Sequence, residues 1–221
     1  AKLLKRLGIS DDEISPRDNF LAILGASGSG KSSLVRAGLV PAIRRVVNIL
    51  QTRDQSDWAG TEVCLLTPGP YPLENLATKL TQSVESVTAA VTLLDDMRKD
   101  SRSLRLFLDK HQIRLFLVVD QFEEIFLLCH SEIDCRCFID NLLTALDCDR
   151  IKVVLTLRAD YYSHLTPYEN LRQVITGAQE YIGPMNASEQ RRAIESPAQQ
   201  TGYDFEPGLV DVIMHDLGME P

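Results

Sequence analysis

No apolar run in this 221-residue chain approaches the length of a membrane span. Leu115-Phe-Leu-Val-Val119 and Ile125-Phe-Leu-Leu-Cys129 are short and flanked by polar or charged residues. No signal peptide opens it either, since Ala1-Lys-Leu-Leu-Lys-Arg6 reads as the start of an amphipathic helix. Basic residues are in deficit: 23 Lys and Arg stand against 31 Asp and Glu, a net charge of −8. That balance argues against a general binder of nucleic acid or of an anionic membrane, which would carry a basic face. The pairs Lys5-Arg6, Arg44-Arg45 and Arg191-Arg192 are isolated and read as solvated helix faces. No internal repeat or low-complexity segment stands out. The chain begins without Met and stops at Met219-Glu-Pro221 without a polar tail, so we expect a piece of a longer protein.

What is present is enough for a full core. Hydrophobic residues make up 44% and charged residues 24%, ordinary for a globular domain, and the length suits one large domain or one domain with a partial second. The most informative stretch is Gly25-Ala26-Ser27-Gly28-Ser29-Gly30-Lys31-Ser32, which reads Gly-x4-Gly-Lys-Ser. It follows the apolar run Phe20-Leu-Ala-Ile-Leu24 and leads into Ser33-Leu-Val-Arg-Ala-Gly-Leu-Val40 at helical spacing. A strand before and a helix after are the context this loop requires. Small residues let the backbone close around an anion, so that successive N–H groups and the helix start face phosphate oxygens. Lys31 would then reach the β- and γ-phosphates of a nucleoside triphosphate, and the Ser32 hydroxyl would ligate Mg²⁺.

Five cysteines, an odd number inside such a domain, suggest reduced thiols and a cytoplasmic location. Cys129-His130-x4-Cys135-x-Cys137 holds four zinc-competent ligands, but it lacks a Cys-x2-Cys knuckle and reads as ordinary thiols.

Along the chain, residues 1–8 read as a helix and Ser10–Pro16 as an acidic loop. Strands are expected at about Phe20–Leu24, Glu62–Leu66, Ile113–Val119, Ile151–Thr156 and Glu180–Gly183. The helix from Lys31 should kink or restart at Pro41 and run to about Leu50. Gln51–Asp57 reads as a polar loop, and Thr67-Pro-Gly-Pro70 is a turn signal. Further helices are expected at Leu73–Val84, in the stretch to Lys110, at Phe122–His130, Ile133–Leu146, from an N-cap at Ser188 to Glu195, and at Gly208–Leu217. Strands alternating with helices indicate an α/β fold with a parallel central sheet flanked by helices. We divide it into a nucleotide-binding domain over residues 1–185 and the start of a helical lid over residues 186–221.

Two more segments extend the site. Asp120 closes the buried run Leu115-Phe-Leu-Val-Val119, where it can hold Mg²⁺; the plainer role is to cap the helix that follows. Hydrolysis also needs a group to orient or deprotonate water. The position after Asp120, where many such ATPases carry Glu, is Gln121. Glu123 and Glu124 lie about one helical turn on, and either could serve; their plainer role is to complement a helix dipole. The third segment, Val153-Val-Leu-Thr156-Leu-Arg158-Ala-Asp160-Tyr161, puts Thr156 and Arg158 at the end of the next core strand. Arg158 could contact the γ-phosphate or simply pair with Asp160.

Gly25 to Ala42 (including Ser33 after the loop), Val118-Val-Asp-Gln-Phe-Glu-Glu-Ile-Phe126 and Thr156-Leu-Arg-Ala-Asp-Tyr-Tyr162 together resemble the STAND-class NTPases. More narrowly they resemble the bacterial novel STAND family, often fused to WD-type propeller repeats. Ser56-Asp-Trp58, Thr67-Pro-Gly-Pro70 with Pro72-Leu73, and Ala193–Ala198 with Phe205–Leu209 fit the same family. The resemblance implies an AAA+-like P-loop domain that acts as a switch: held off with ADP, exchanging it for ATP when sensor repeats recognise a signal, and oligomerising to gather effector domains. It also implies that Arg158 is the sensor of the γ-phosphate and that residues from about Asn186 begin the lid. The family's Gly-Arg-Glu element would lie before Ala1, and its Gly-x-Leu-Pro-Leu segment after Pro221.

The expected function is therefore slow Mg²⁺-dependent ATP hydrolysis in a signalling switch. The alternatives are a non-hydrolysing nucleotide-binding scaffold, favoured by Gln121, and a P-loop kinase with Arg172, Arg191 and Arg192 as lid arginines.

Overall fold

A computed structural model describes residues 2–9, 14, 18–53, 58, 60–82 and 87–216. The expectations for most of Ser10–Pro16, for Ser56-Asp57, for the ends of the Leu73–Val84 and Gly208–Leu217 helices and for Met219–Pro221 lie outside the described residues. The chain divides into two compact units, Ala1–Ile182 and Gly183–Pro221.

The first unit is built on five strands: β1 (Phe20–Gly25), β2 (Glu62–Leu66), β3 (Leu115–Val119), β4 (Ile151–Arg158) and β5 (Gln179–Ile182). Their order is β2-β3-β4-β1-β5, and every pair is parallel. Both faces of the sheet are covered, which is why β1 and β3 read as unbroken apolar runs. Alternation splits β1 between two cores: Phe20, Ala22 and Leu24 join one, Leu21 and Ile23 the other. The first core takes Leu76 of α4 (Pro72–Thr81), Leu93 of α5 (Val87–Lys99), Leu104 of α6 (Ser103–Lys110) and Phe138 of α8 (Glu132–Ala145). It also takes Leu171 of α9 (Glu169–Gly177). The second takes Leu7, just beyond α1 (Lys2–Arg6), and Ile43, Val47 and Leu50 of α3 (Val40–Arg53). On that face Lys152 is fully buried in β4; its Nζ donates to the Asp18 carbonyl at 2.6 Å and lies over the Trp58 ring.

The helix from Lys31 departs from expectation. It starts as α2 (Lys31–Ser33), widens into a π-helical segment (Leu34–Leu39) and only then becomes α3, with Pro41 in its first turn. Proline cannot donate to the carbonyl four residues back, and its ring crowds that carbonyl. The turn before Pro41 relieves this by widening, so that the Val40 N–H reaches the Val35 carbonyl five residues back. The helical segment therefore runs on from Lys31 through Pro41 to Arg53 without a break.

Phe122–His130 is not one helix. Only α7 (Glu124–Leu127) forms, because Gln121 adopts a left-handed φ of 59° and the chain turns again before Ser131, which caps α8 by accepting from the Asp134 N–H. That turn brings Cys129 back to the first turn of α8, where it forms a disulfide with Cys135 across a Cα–Cα distance of 6.5 Å. The expectation of five reduced thiols is thus corrected; Cys64, Cys137 and Cys148 are free. Cys137, two residues on around the helix, faces elsewhere and donates to the Arg98 carbonyl at 3.7 Å. Among the described residues no group of three or more His, Cys, Asp or Glu could hold a metal, and no helix is long and apolar enough to cross a membrane.

The second unit holds α10 (Ala187–Gln200) and α11 (Leu209–Asp216). The N-cap of α10 is Asn186, not Ser188. Asn186 Oδ1 accepts the Glu189 N–H at 3.0 Å while Glu189 Oε2 accepts the Asn186 N–H at 2.9 Å, a capping box that leaves Ser188 inside the first turn. Arg191 is not merely solvated, since it pairs with Glu195 at 3.3 Å and with Asp211.

Candidate functional site

The site forms at the carboxyl ends of β1, β4 and β3, where open α/β sheets gather their ligands. β1 delivers the loop at Gly25. A Cβ there would stand 2.5 Å from the Ile182 carbonyl oxygen and 2.7 Å from Ser29 Oγ, so only glycine lets the loop pass this close to β5. Gly28 (φ 76°) and Gly30 (φ 83°) take left-handed conformations that fold Ala26, Ser27 and Ser29 over before Lys31, Ser32 and Ser33 begin the helix. The Lys31 ammonium is buried and donates to the carbonyls of Gly25 at 2.8 Å and Ala26 at 2.7 Å. Burial lowers its pKa, opposed most strongly by the charge of Glu123.

Asp120 is the centre of the arrangement. It is fully buried one residue beyond β3. Its Oδ1 accepts from Ser32 Oγ at 2.9 Å and from Thr156 Oγ1 at 2.7 Å; its Oδ2 accepts from Arg36 Nε at 2.6 Å. Burial works to raise its pKa, but the hydrogen bonds from Thr156, Arg36 and Ser32 outweigh it and hold the carboxyl below its ordinary value. The carboxylate faces back toward the loop rather than capping α7. Because β4 lies between β1 and β3, Thr156 stands between loop and carboxylate. Its oxygen also accepts the Gln121 N–H at 2.8 Å.

The two glutamates separate. Glu123 is buried, and its carboxylate accepts the Arg158 backbone N–H at 3.3 Å. Glu124 turns to the loop after β2 and accepts the Gly69 N–H at 3.1 Å. β4 continues through Arg158, which pairs with Gly25 in the sheet. The Arg158 guanidinium binds the Asp160 carboxylate at 2.6 Å and lies 5.1 Å from the Tyr161 ring centre.

Two site residues escaped the sequence reading. Arg36 reaches Asp120 and also donates to Thr67 Oγ1 at 3.2 Å. Its signal was present: it follows Ser32 by four residues and so lies on the same helix face. Thr67 opens a segment read as a turn and as part of the family resemblance, with no place in the site. The oxygens of Ser32 and Asp120 are hard donors of the kind Mg²⁺ accepts, and one carboxylate suffices where phosphates and water complete the shell.

A parallel sheet in the order β2-β3-β4-β1-β5, with a Gly-x4-Gly-Lys-Ser loop after β1 and an acid after β3, defines a P-loop NTPase domain of the AAA+ type. Within that class the chain belongs to the novel STAND NTPase 1 family, whose profile matches residues 1–221. Solved structures agree on the fold. The Aeropyrum pernix ORC2 protein in its ADPNP–ADP complexes is 15% identical with a TM-score of 0.52, covering 90% of this chain and 48% of its own. AMPPCP-bound DnaA from Aquifex aeolicus is 15% identical with a TM-score of 0.52, covering 96% and 52%. A Walker-type ATPase of Pyrococcus abyssi is 13% identical with a TM-score of 0.52, covering 89% and 58%. This chain thus spans about half the length of these proteins. No curated protein sequence matches it significantly.

Proposed function

We propose that this domain binds ATP and ADP with Mg²⁺ and hydrolyses ATP slowly, as the nucleotide switch of a larger signalling protein that self-associates in its ATP form. The observation that carries the reading is the hydrogen bond from Ser32 to Asp120, which joins residues 88 apart into one pair of hard oxygen donors behind a phosphate-type loop. Family membership supports the nucleotide and the switch; sensor repeats and effector domain would belong to the rest of the parent protein.

In this reading the backbone N–H groups from Ala26 to Ser33 hold the phosphates, and Lys31 exchanges its two loop carbonyls for β- and γ-phosphate oxygens. Ser32 and Asp120 hold Mg²⁺, which when bound neutralises charge developing on the phosphoryl oxygens. Glu123 orients the attacking water and takes its proton; it is the buried carboxylate of the pair, and its charge acts on Lys31. Arg158 leaves Asp160 to contact the γ-phosphate, and unit 2 is the beginning of the lid. A second reading, a scaffold that binds nucleotide without hydrolysis, is favoured by Gln121, which is exposed and places no carboxylate directly after Asp120.

Nucleotide released by denaturing the purified protein, identified by chromatography, tests the first step; a multi-turnover ATPase assay separates the two readings. Lys31→Ala is expected to weaken ADP binding by roughly ten- to a hundredfold, the worth of one charge-assisted contact, with an unchanged circular dichroism spectrum. Unchanged affinity refutes the phosphate site.

A further inference from the structure

Asp120 is a fully buried carboxylate, and such a charge must be compensated. Its two oxygens are compensated differently. Among the described residues, Oδ1 receives both hydroxyls, from Ser32 and Thr156, whereas Oδ2 receives only the Arg36 Nε, at 2.6 Å. Lys31 does not share this duty, because its ammonium is turned to the Gly25 and Ala26 carbonyls. Among the described residues, Arg36 is the cation that touches Asp120.

Arg36 is built to hold that oxygen and also to leave it. Its side chain is 49% exposed, so it can swing into water without opening a cavity. Its backbone lies in the π-helical turn that Pro41 imposes, and it follows Ser32 on the same helix face. Its second contact, to the uncharged hydroxyl of Thr67 at 3.2 Å, lies at the protein surface, where water can replace it.

We propose that Arg36 is a displaceable counter-ion of Asp120. Its guanidinium and a divalent cation compete for the same carboxylate, so that Arg36 sets the metal concentration the site demands and keeps the buried charge compensated when no metal is held. The proposal rests on the reading of Asp120 and Ser32 as the Mg²⁺ site. It adds a residue that opposes the metal rather than ligating it. A guanidinium and a divalent cation on one carboxylate repel each other, so occupation by one weakens the other reciprocally. The Thr67 contact extends that coupling to the loop after β2, whose Gly69 N–H holds Glu124.

The test is Mn²⁺ binding to the full chain in the presence of ADP, followed by the electron paramagnetic resonance signal of free Mn²⁺, for wild type, Arg36→Gln, Arg36→Lys and Asp120→Asn. Arg36→Gln is expected to tighten Mn²⁺ binding by roughly tenfold, within the usual range for coupled sites. It should also lower the melting temperature of the metal-free protein while enlarging the rise on adding Mn²⁺. Arg36→Lys keeps a positive charge but has no Nε to hold Oδ2, so its Mn²⁺ affinity should also rise. It carries the test alone if Arg36→Gln fails to fold. If wild type binds Mn²⁺ through Asp120 and neither Arg36 variant binds it more tightly, the counter-ion role is overturned and the metal site stands. If wild type and Asp120→Asn bind Mn²⁺ alike, the metal site itself is wrong and the proposal falls with it.

Discussion

Glu123 and Glu124 are adjacent in the chain yet serve different surroundings. Glu123 stands at the start of α7, buried, with its carboxylate on the Arg158 N–H; Glu124 ties down the loop after β2 through Gly69. Removing the charge of Glu123 should therefore affect chemistry, and removing that of Glu124 should affect a loop. Glu123→Gln is expected to lower single-turnover ATP cleavage by about a hundredfold, the lower end for general base catalysis, with ADP affinity kept. Glu124→Gln should stay within a few-fold of wild type in the same assay. The opposite order would move the base to Glu124. The sequence left the two equivalent because a one-turn offset from Asp120 suits either. The left-handed Gln121 decides between them, and nothing in a glutamine announces that conformation.

Elements were legible where burial on both faces writes itself as an apolar run. β1 and β3 lie within a residue or two of expectation for that reason. β4 ran two residues further than its apolar content suggested, because its last rungs are set by pairing with Leu24 and Gly25 rather than by composition. The π segment was not legible, since the cost of Pro41 falls on the turn before it. Asn186 could have been found: a capping box needs Glu three residues on, which Asn186 has and Ser188 lacks. The close approach of Gly25 to Ile182, where β1 pairs with β5, gives a sharp test. Gly25→Ala presses a methyl group onto the Ile182 carbonyl and should cost about 1–3 kcal/mol in urea unfolding, in the range of overpacked sites. Gly177→Ala, with nothing near its Cβ, should cost nothing measurable. The turn between α7 and α8 gives another. Thiol titration of the denatured, unreduced protein should find the free Cys64, Cys137 and Cys148 alone, with Cys129 and Cys135 joining only after reduction. Five reactive thiols before reduction would remove the disulfide.

At the scale of the whole molecule, the first unit is two cores divided by one sheet, and the second core contains a buried base. Burial pushes the Lys152 ammonium down to about 8 from an ordinary 10.5, with the charge of Asp18 acting against it. The unfolded chain therefore binds the proton more readily between those values, and stability must rise with pH through about 8. Above about 9 the thiols of half-buried Cys64 and Cys137 and of buried Cys148, whose pKa values desolvation raises, act in the opposite sense, which confines the window to about pH 8–9. Urea unfolding at pH 7 and pH 9 should show Lys152→Met losing on the order of 1 kcal/mol of the wild-type gain. An equal gain in the variant would show that Lys152 titrates normally. Three distant parts of the chain, the loop helix, the end of β3 and the end of β4, meet at Asp120, and their meeting has a direction. A hydroxyl carries a single hydrogen, and the oxygen of Thr156 already receives the Gln121 N–H; its own hydrogen therefore points at Asp120. Ser32 aims its hydrogen at the same oxygen. The hydrogens of Ser32 and Thr156 converge on Oδ1 and that of Arg36 Nε on Oδ2, so every donor at Asp120 favours its ionised form. It is an anchor for positive charge at this edge of the sheet.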